Sequence, residues 1–352
     1  MNFSNVDFDK LDKNLSEFCA KDPTYGMFRV TVKDKIVFEK HVGYANIEKK
    51  TPFTSDSMFT FYSLSKPFCV IGLMKLYDRG LVDLDRHPSA YVPEAEGFDE
   101  RVTIRHMLHH VSGLPDFAQT KEFKELHDTG YARELREHVK EITKYPQKFA
   151  PGTDTQYANI NMCLCALIIE NVTGRSYSEY MKAEVFEPFG MKTAVVDNEN
   201  LFIENRVQGY TYIDGEFKAT EKSHDWMFGA GDIDGTLDDV YALNRAIKNK
   251  TMLKPETWQE ILTTHPKNSF GCGCMVSDWH GKLTITHNGG APSFRSYHKQ
   301  IPEDDFDLIL LINGVFLGGS VRIDLSEIIY SAFYTDNPTA SEEKLELDKG
   351  YI

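Results

Sequence analysis

The chain has 352 residues, of which 41% are hydrophobic and 12% aromatic, enough to bury one large core or two closely packed lobes. Its formal net charge is -14, from 53 acidic and 39 basic residues, and it contains no run of lysine and arginine. We therefore expect no nucleic-acid partner.

The N-terminal residues lack an apolar segment behind a basic start, and no part of the chain reaches eighteen uninterrupted apolar residues. We expect a soluble cytoplasmic protein with no membrane span and no secretory signal. The six cysteines include two Cys-x-Cys pairs, which differ from the Cys-x-x-Cys spacing of zinc sites. Buried, reduced thiols are the expected state, which suits a reducing compartment.

Hydrophobic periodicity predicts the first elements of the chain. A helical period predicts a helix over residues 7–18, and alternation over residues 26–42 predicts an antiparallel hairpin that turns at residues 33–34. A long apolar run predicts a helix that begins close to Ser63 and ends at Gly80, because glycine readily takes the left-handed cap position.

The remaining elements are assigned in the same way. Helices are expected over residues 121–144 (exposed), 162–169 (ending near residue 174), 237–247, 255–262 and 320–333. Strands are expected over residues 270–276, 283–287, 297–301 and 308–313. Loops are expected at residues 186–190, near residue 226 and at 229–231, and the tail beyond residue 336 is expected to be loosely held.

Strands near both chain ends, with helices between them, predict an α+β fold. In this fold one antiparallel sheet is built from both chain ends and carries flanking helices and a mostly helical inserted region. We expect residues 1–62 and 265–352 to form the sheet region and residues 63–264 to form the helical region. The candidate active site would lie in the cleft between them, within a single domain overall.

The first candidate catalytic motif is Ser63-Leu64-Ser65-Lys66. Pro67 has no N–H and fits only the first turn of a helix, so the helix should begin close to Ser63. Three residues are just under one turn, which puts Ser63 and Lys66 on one face within reach of each other. A helix start also favours negative charge on a substrate oxygen. The alternative is an N-cap serine followed by a solvated lysine.

Two further stretches contain candidate site residues. Tyr157 and Asn159 lie in a loop before an apolar helix, either as local loop residues or as partners of the candidate serine. His287 and the pair Gly289-Gly290 stand where a strand is predicted to end. Paired glycines let a substrate carbonyl approach the backbone, so the Gly290 N–H is a candidate oxyanion donor. A plain hairpin turn is the alternative.

Three histidines at positions i, i+3 and i+4, namely His106, His109 and His110, raise the question of a metal-binding helix face. No glutamate completes a His-Glu-x-x-His pattern, and no clear further ligand follows. Structural roles for the three side chains are therefore favoured.

Taken together, these motifs resemble those of the serine β-lactamase and penicillin-binding-protein family, in the same order along the chain: Ser63-x-x-Lys66, Tyr157-x-Asn159 and His287-x-Gly289. The nearest branch is that of class C β-lactamases, D-alanyl-D-alanine carboxypeptidases and family VIII esterases. The stretches VTIRHMLHHVSGLP, PGTDTQYAN and HNGGAPSF resemble segments of this branch. The resemblance extends to about residue 313 and implies a β-lactamase-like fold.

The resemblance also implies a mechanism. Ser63 would attack a carbonyl carbon and form an acyl-enzyme, after Lys66 or Tyr157 has removed its proton. Either base needs a pKa below its ordinary value of about 10, and the sequence leaves the choice open. Asn159 would hold Lys66 or the substrate amide, and the N–H groups of Ser63 and Gly290 would form the oxyanion hole. Tyr157 would activate the deacylating water. No metal or organic cofactor is expected.

Departures from the family pattern narrow the range of substrates that we expect. β-Lactamases usually carry Lys-Thr-Gly where this chain has His287, Asn288 and Gly289. A neutral imidazole and an amide make a weaker site for a substrate carboxylate, so ester or peptide cleavage is favoured over efficient β-lactam hydrolysis. Arg295 is a candidate replacement cation. Asp232 stands where relatives often have glycine, and the sequence offers no reason for it.

These observations predict a serine hydrolase that acts on small-molecule esters, amides or D-amino-acid peptides. A weakly active class C-type β-lactamase and a non-catalytic penicillin-binding-like scaffold are the alternatives. An α/β-hydrolase is disfavoured because no Gly-x-Ser-x-Gly sequence is present. The oligomeric state is left open.

Overall fold

The computed structural model describes residue 3 and residues 5–117, 135–197, 201–220, 227–279, 281–291, 293–316 and 321–334. The α-helices in these ranges are α1 (Phe8–Lys21), α2 (Lys66–Asp78), α3 (Ile104–Leu108), α4 (Leu135–Ile142), α5 (Asn159–Thr173), α6 (Tyr177–Met181), α7 (Glu187–Phe189), α8 (Leu237–Asn249), α9 (Pro255–Leu262) and α10 (Val321–Phe333). The strands are β1 (Tyr25–Val32), β2 (Lys35–Val42), β3 (Phe59–Thr60), β4 (Val195–Val196), β5 (Gly209–Ile213), β6 (Glu216–Thr220), β7 (Ile233–Gly235), β8 (Met275–Trp279), β9 (Lys282–Ala291), β10 (Phe294–Ile301) and β11 (Phe306–Phe316).

The main sheet joins the two ends of the described chain. Its strand order is β2-β1-β11-β10-β9-β8, with antiparallel neighbours throughout this path. Strand β5 runs parallel to the end of β11 and carries β6 on its other edge. A second, small sheet has the order β3-β7-β4. The predicted α+β fold, with one sheet built from both chain ends, is therefore confirmed.

The sheet separates two hydrophobic cores. Along β11, Leu308, Leu310 and Ile312 pack with α1 and α10 on one face, whereas Ile309 and Leu311 belong to the larger core that holds α2 and α5. This division follows from the two-residue period of a strand, which sends successive side chains to opposite faces.

Helix α2 lies inside the larger core. Every residue from Lys66 to Leu76 is buried, so the helix is enclosed on all sides. Its first turn is consequently fixed by packing on every face. A residue presented from that turn has a well-defined position.

Most predicted elements agree with the structure. The hairpin of β1 and β2 turns at Lys33 and Asp34, which take φ values of 50° and 59°. Helix α5 ends at Gly174, whose φ of 65° is the left-handed cap conformation. The helix predicted over residues 121–144 lies largely outside the described residues, and its last part is α4. All six cysteines are buried and free, as predicted.

Three local predictions were wrong or missing. The strand predicted over residues 270–276 starts only at Met275, because the preceding residues form a turn in which the Gly271 N–H donates to the Cys274 carbonyl. Residues 186–190 are helical up to Phe189, since Pro188 occupies the first turn of α7 rather than a loop. The hairpin of β5 and β6 was not predicted, although its Asp-Gly turn is a strong hairpin signal.

Among the residues that the structure describes, no helix has both the length and the apolar character needed to cross a bilayer.

Candidate active site

Ser63 is presented from a short 3-10 turn at the entrance to α2. The turn spans Tyr62–Ser65, so the α-helix begins at Lys66 rather than at the serine. From Ser57 to Leu76, Ser63 is the one residue that is not buried. Tyr62 has a φ of 50°, a conformation that non-glycine residues seldom adopt and that often marks a functional site. Ser63 is not the N-cap of α2, so the alternative of a capping serine is wrong.

The Lys66 ammonium group lies beside the Ser63 hydroxyl. Its Nζ is 2.9 Å from Ser63 Oγ, 2.9 Å from Asn159 Oδ1 and 2.7 Å from the Ala230 carbonyl oxygen. The amide and carbonyl oxygens only accept hydrogen bonds. In a neutral amine the two N–H bonds therefore point to Asn159 and Ala230, and the nitrogen lone pair faces the Ser63 hydroxyl. This geometry suits proton removal from Ser63.

The environment of Lys66 favours the neutral amine. Burial lowers the pKa of Lys66 to about 7, although nearby acidic groups, including Asp116 and Asp232, oppose the shift. An amine with this pKa is substantially unprotonated near neutral pH. Lys66 therefore meets both requirements of a base, namely contact with the nucleophile and an available lone pair.

Asp116 orients Asn159 at the start of α5. Its carboxylate accepts hydrogen bonds from the N–H groups of Phe117, Asn159 and Ile160 and from Asn159 Nδ2 at 3.0–3.2 Å. With Nδ2 turned to Asp116, the Oδ1 atom of Asn159 faces Lys66. Burial raises the pKa of Asp116, while the backbone hydrogen bonds oppose that rise. Asp116 was not predicted from the sequence, although it follows directly after the Ser112-to-Pro115 part of a motif stretch.

Tyr157 closes one side of the site. Lys66 Nζ lies 4.8 Å from the centre of the Tyr157 ring, which stacks on His110 with ring centres 4.4 Å apart. The His110 ring accepts a hydrogen bond from the Ala158 N–H through Nδ1, at 3.2 Å. His110 thus supports the Tyr157 ring and the loop that carries it, a structural role that agrees with the sequence analysis.

His287 provides an uncharged, buried ring near Tyr157. Its ring centre is 6.4 Å from that of Tyr157. The Nδ1 atom lies 2.6 Å from the Asn288 carbonyl oxygen, so Nδ1 carries the proton and Nε2 carries the lone pair. Burial, together with the charge on Lys66, lowers the pKa of His287 to about 3. Within the described part of the chain, Nε2 has no hydrogen-bond partner. The ring is therefore a neutral hydrogen-bond acceptor rather than a cation.

The glycine motif lies inside β9, and the prediction that it ends a strand was wrong. Strand β9 continues to Ala291. A Cβ atom on Gly289 would lie only 2.0 Å from the Phe61 carbonyl oxygen and 3.0 Å from the Leu64 nitrogen. Only glycine lets the strand pack this closely against the turn that carries Ser63. Gly290 follows with its backbone exposed beside the same turn.

Two arginines lie beside Gly290. Arg295 is opposite Gly290 in the sheet, and its Nη1 donates to the carbonyl oxygens of Ala291 and, at 2.8 Å, Phe294. Arg322, from α10, donates to the Gly289 carbonyl oxygen at 2.8 Å. Arg295 was predicted from the sequence. Arg322 was not, because nothing in the sequence links α10 to the glycine motif.

Asp232 gains a structural explanation. Its buried carboxylate accepts a hydrogen bond from the Gly229 N–H at 3.0 Å. This bond closes the turn that presents the Ala230 carbonyl oxygen to Lys66. An aspartate at this position therefore helps to place one of the three groups around the lysine nitrogen.

The chain was compared with known proteins. A family model described as Beta-lactamase matches residues 11–330. The chain is 28% identical over 314 residues to a D-aminopeptidase of Gluconobacter oxydans, covering 86% of this chain and 58% of the relative. It is 27% identical over 304 residues to Penicillin-binding protein 4* of Bacillus subtilis, covering 79% of this chain and 65% of the relative. It thus spans less than two thirds of the length of either relative.

A solved structure shows the same fold. The D-stereospecific amidohydrolase from Streptomyces sp. superposes with a TM-score of 0.79 at 19% sequence identity, covering 93% of this chain and 99% of that one. This similarity concerns the fold alone, whereas the family match covers nearly the whole sequence. The chain belongs to the β-lactamase family.

Proposed function

We propose that this protein is a serine hydrolase that cleaves amides and peptides of D-amino acids, or small esters, through an acyl-enzyme on Ser63. The observation that carries the proposal is the arrangement around Lys66. Two acceptor oxygens occupy its N–H bonds, and its remaining position lies 2.9 Å from Ser63 Oγ. A buried amine with a pKa of about 7 in this position is suited to activate the serine.

In acylation, Lys66 Nζ takes the hydroxyl proton as Ser63 Oγ attacks the substrate carbonyl carbon. The N–H groups of Ser63 and Gly290 stabilise the negative charge on the carbonyl oxygen, each by about 3 kcal/mol in the barrier. The proton then passes from Lys66, by way of the Tyr157 hydroxyl, to the leaving nitrogen or oxygen. The bond to the leaving group breaks, and the acyl group remains on Ser63.

Deacylation uses the same groups, with water in place of the serine hydroxyl. A water molecule attacks the acyl carbon and gives one proton to the Tyr157 hydroxyl oxygen, while that hydroxyl passes its own proton to the neutral amine of Lys66, which lies next to it. The bond from Ser63 Oγ to the acyl carbon then breaks, Lys66 returns the proton to Ser63 Oγ, and the acid leaves. These steps require only groups of this chain and water.

The proposed substrate class rests on two arguments. Relatives named D-aminopeptidase and D-stereospecific amidohydrolase favour an amide or peptide with a D-amino-acid acyl group. His287 and Asn288 replace the lysine and threonine of the usual β-lactamase motif, and His287 is uncharged. The motif position itself therefore supplies no positive charge for the carboxylate of a β-lactam, and we propose amide, peptide or ester cleavage rather than efficient β-lactam hydrolysis.

The test is turnover on a panel of substrates. We expect the protein to hydrolyse D-alanine p-nitroanilide and p-nitrophenyl acetate, to prefer the D over the L anilide, and to leave nitrocefin intact. The Ser63→Ala variant should be inactive on all of them. Rapid nitrocefin turnover would replace the proposal with a β-lactamase. No turnover and no covalent adduct with any substrate or penicillin would indicate the non-catalytic scaffold.

The rate should depend on pH through Lys66. Below a pH of about 7 the lysine is protonated and has no lone pair, so kcat/KM should fall tenfold per pH unit on the acid side. The pKa of His287, about 3, lies outside this range. The His287→Asn variant should therefore keep the inflection near pH 7 in a pH–kcat/KM profile. Loss of that inflection in this variant would reject Lys66 as its source.

Arg295 is proposed to contribute a positive charge for a substrate carboxylate next to Gly290. Arg295→Ala should raise KM for a D-alanyl-D-alanine substrate by about tenfold, the loss of roughly 1.4 kcal/mol. It should leave KM for the corresponding C-terminal amide unchanged. Steady-state kinetics on the two substrates would measure the difference. An equal effect on both, or an unchanged KM for the carboxylate, would remove Arg295 from the substrate site.

A further inference from the structure

A group of three metal-ligand side chains lies behind the site, outside the catalytic arrangement. The residues are His109, directly after α3, Glu260 in α9, and Cys272 in the turn before β8. One potential ligand atom from each lies within 4.8 Å of the other two. We propose that these three side chains bind one divalent transition-metal ion of the zinc class.

The spacing of the nitrogen and sulfur atoms fits such an ion. His109 Nε2 lies 3.7 Å from Cys272 Sγ. Bonds of about 2.1 Å to nitrogen and 2.3 Å to sulfur, at a tetrahedral angle, place the two ligand atoms about 3.6 Å apart. An ion can therefore enter between them with little movement of either side chain.

The proton on His109 is already placed for metal binding. His109 Nδ1 lies 3.0 Å from the Phe270 carbonyl oxygen, which only accepts hydrogen bonds. Nδ1 therefore carries the ring proton, and the Nε2 lone pair faces Cys272. A backbone carbonyl that fixes the ring in this way is the usual outer partner of a metal-bound histidine.

The three side chains are buried enough to hold an ion and exposed enough for it to enter. Cys272 is 1% exposed and His109 is 5% exposed, whereas the Glu260 side chain is 27% exposed and opens the group to solvent. Glu260 also contacts the guanidinium group of Arg105, which is held independently by the Asp85 carboxylate. The Glu260 carboxylate can therefore turn towards an ion while Arg105 keeps a partner. Water supplies the fourth ligand.

Binding exchanges one proton for the metal. Without the ion, the Cys272 thiol lies 3.7 Å from two acceptors, His109 Nε2 and the Glu260 carbonyl oxygen. With it, the S–H bond breaks, a sulfur–metal bond forms, and the proton passes to solvent. The thiolate and the carboxylate together balance the two positive charges of the ion, and the imidazole binds as a neutral ligand.

The ion would join three segments that support the active site. Phe270, whose carbonyl oxygen holds His109, packs against the His110 ring in a T-shaped arrangement with centres 5.0 Å apart. His110 in turn stacks on Tyr157. Metal binding would thus stabilise Phe270 and His110, which pack behind Tyr157, without contact to Ser63. Structural roles were expected for the three histidines at positions i, i+3 and i+4. Of these, His109 belongs to the proposed metal site, and its partners are distant in sequence.

The test uses the full chain, stripped of metal by a chelator and kept reduced. Titration with Co²⁺ should saturate at one ion per chain and give a thiolate-to-cobalt charge-transfer band in the near ultraviolet, which Zn²⁺ should abolish by displacement. Zn²⁺ should also raise the Tm. Absence of the band in the folded wild-type protein would overturn the proposal.

Variants assign the ligands. Cys272→Ser should remove the band and weaken Zn²⁺ binding at least about 100-fold, and His109→Gln, which keeps the thiol, should weaken it at least about tenfold. Cys274→Ser is the matched control, because this buried cysteine lies two positions away and outside the group. It should keep both the band and the affinity. A band that survives in Cys272→Ser, or unchanged affinity in His109→Gln, would contradict the assignment.

Discussion

Replacement of Lys66 by methionine is expected to lower kcat/KM by about 10³-fold, since a general base typically contributes 10²–10⁴-fold. Methionine has a similar length and no lone pair able to take the Ser63 proton. It leaves Asn159 Oδ1 and the Ala230 carbonyl oxygen without their donor, at about 1–3 kcal/mol each. Removal of a buried amine from the core offsets part of that cost. Steady-state kinetics with the D-alanine p-nitroanilide checks the prediction.

Lys75 supplies a matched control for this variant. It lies on the same helix, is also buried, and donates to the Glu184 carbonyl oxygen at 2.6 Å, away from Ser63. Lys75→Met should therefore keep nearly full activity, while its stability falls. If Lys66→Met retained more than about one tenth of wild-type kcat/KM, a lysine base would be excluded.

Asp116→Asn is expected to have the second-largest effect, on both stability and activity. Each carboxylate oxygen of Asp116 accepts two N–H groups, and an amide can offer an acceptor on one side only. Two N–H donors then lose their acceptor, which costs about 3 kcal/mol in the free energy of unfolding. Asn159 is no longer held with Oδ1 towards Lys66, so we expect kcat/KM to fall by about 100-fold. Denaturant unfolding and kinetics measure the two effects.

The same variant should move the pH profile. The negative charge of Asp116 raises the pKa of Lys66, so its removal lowers that pKa. The acid limb of kcat/KM should shift to lower pH, although the maximal rate falls. Asp154→Asn is the control, because this exposed carboxylate accepts a hydrogen bond from the Thr155 N–H at 2.8 Å and is not among the groups that contact Lys66 or Asn159 in the described residues. An acid limb that moved to higher pH in Asp116→Asn would contradict the account.

Short-range geometry was predictable from the sequence. The spacing of Ser63 and Lys66, with Pro67 behind them, put both side chains on one face near a helix start, and the structure has them 2.9 Å apart. The cap at Gly174 and the hairpin turn at residues 33–34 follow from rules that concern a few neighbouring residues. Such rules need no knowledge of the fold.

Contacts between segments that are distant in sequence were harder to predict. Tyr157 and His287 were selected by family resemblance, because no local rule indicates that they approach Lys66. Asp116 was missed because its role comes from hydrogen bonds to the start of α5, which is distant in sequence. The strand before the glycine motif was predicted to end at residue 287, whereas β9 continues to Ala291 and Gly289 is required by the close approach of Phe61. The predicted division into a sheet region and a helical region stays a prediction.

The central claim is that residue 63 carries the acyl group during turnover. Incubation with a fluorophosphonate, followed by intact-mass and peptide mass spectrometry, tests it most directly. We predict one adduct per chain, located on Ser63, formed in step with loss of activity and absent from Ser63→Ala. A stoichiometric adduct on another residue, or full turnover in Ser63→Ala, would contradict the account.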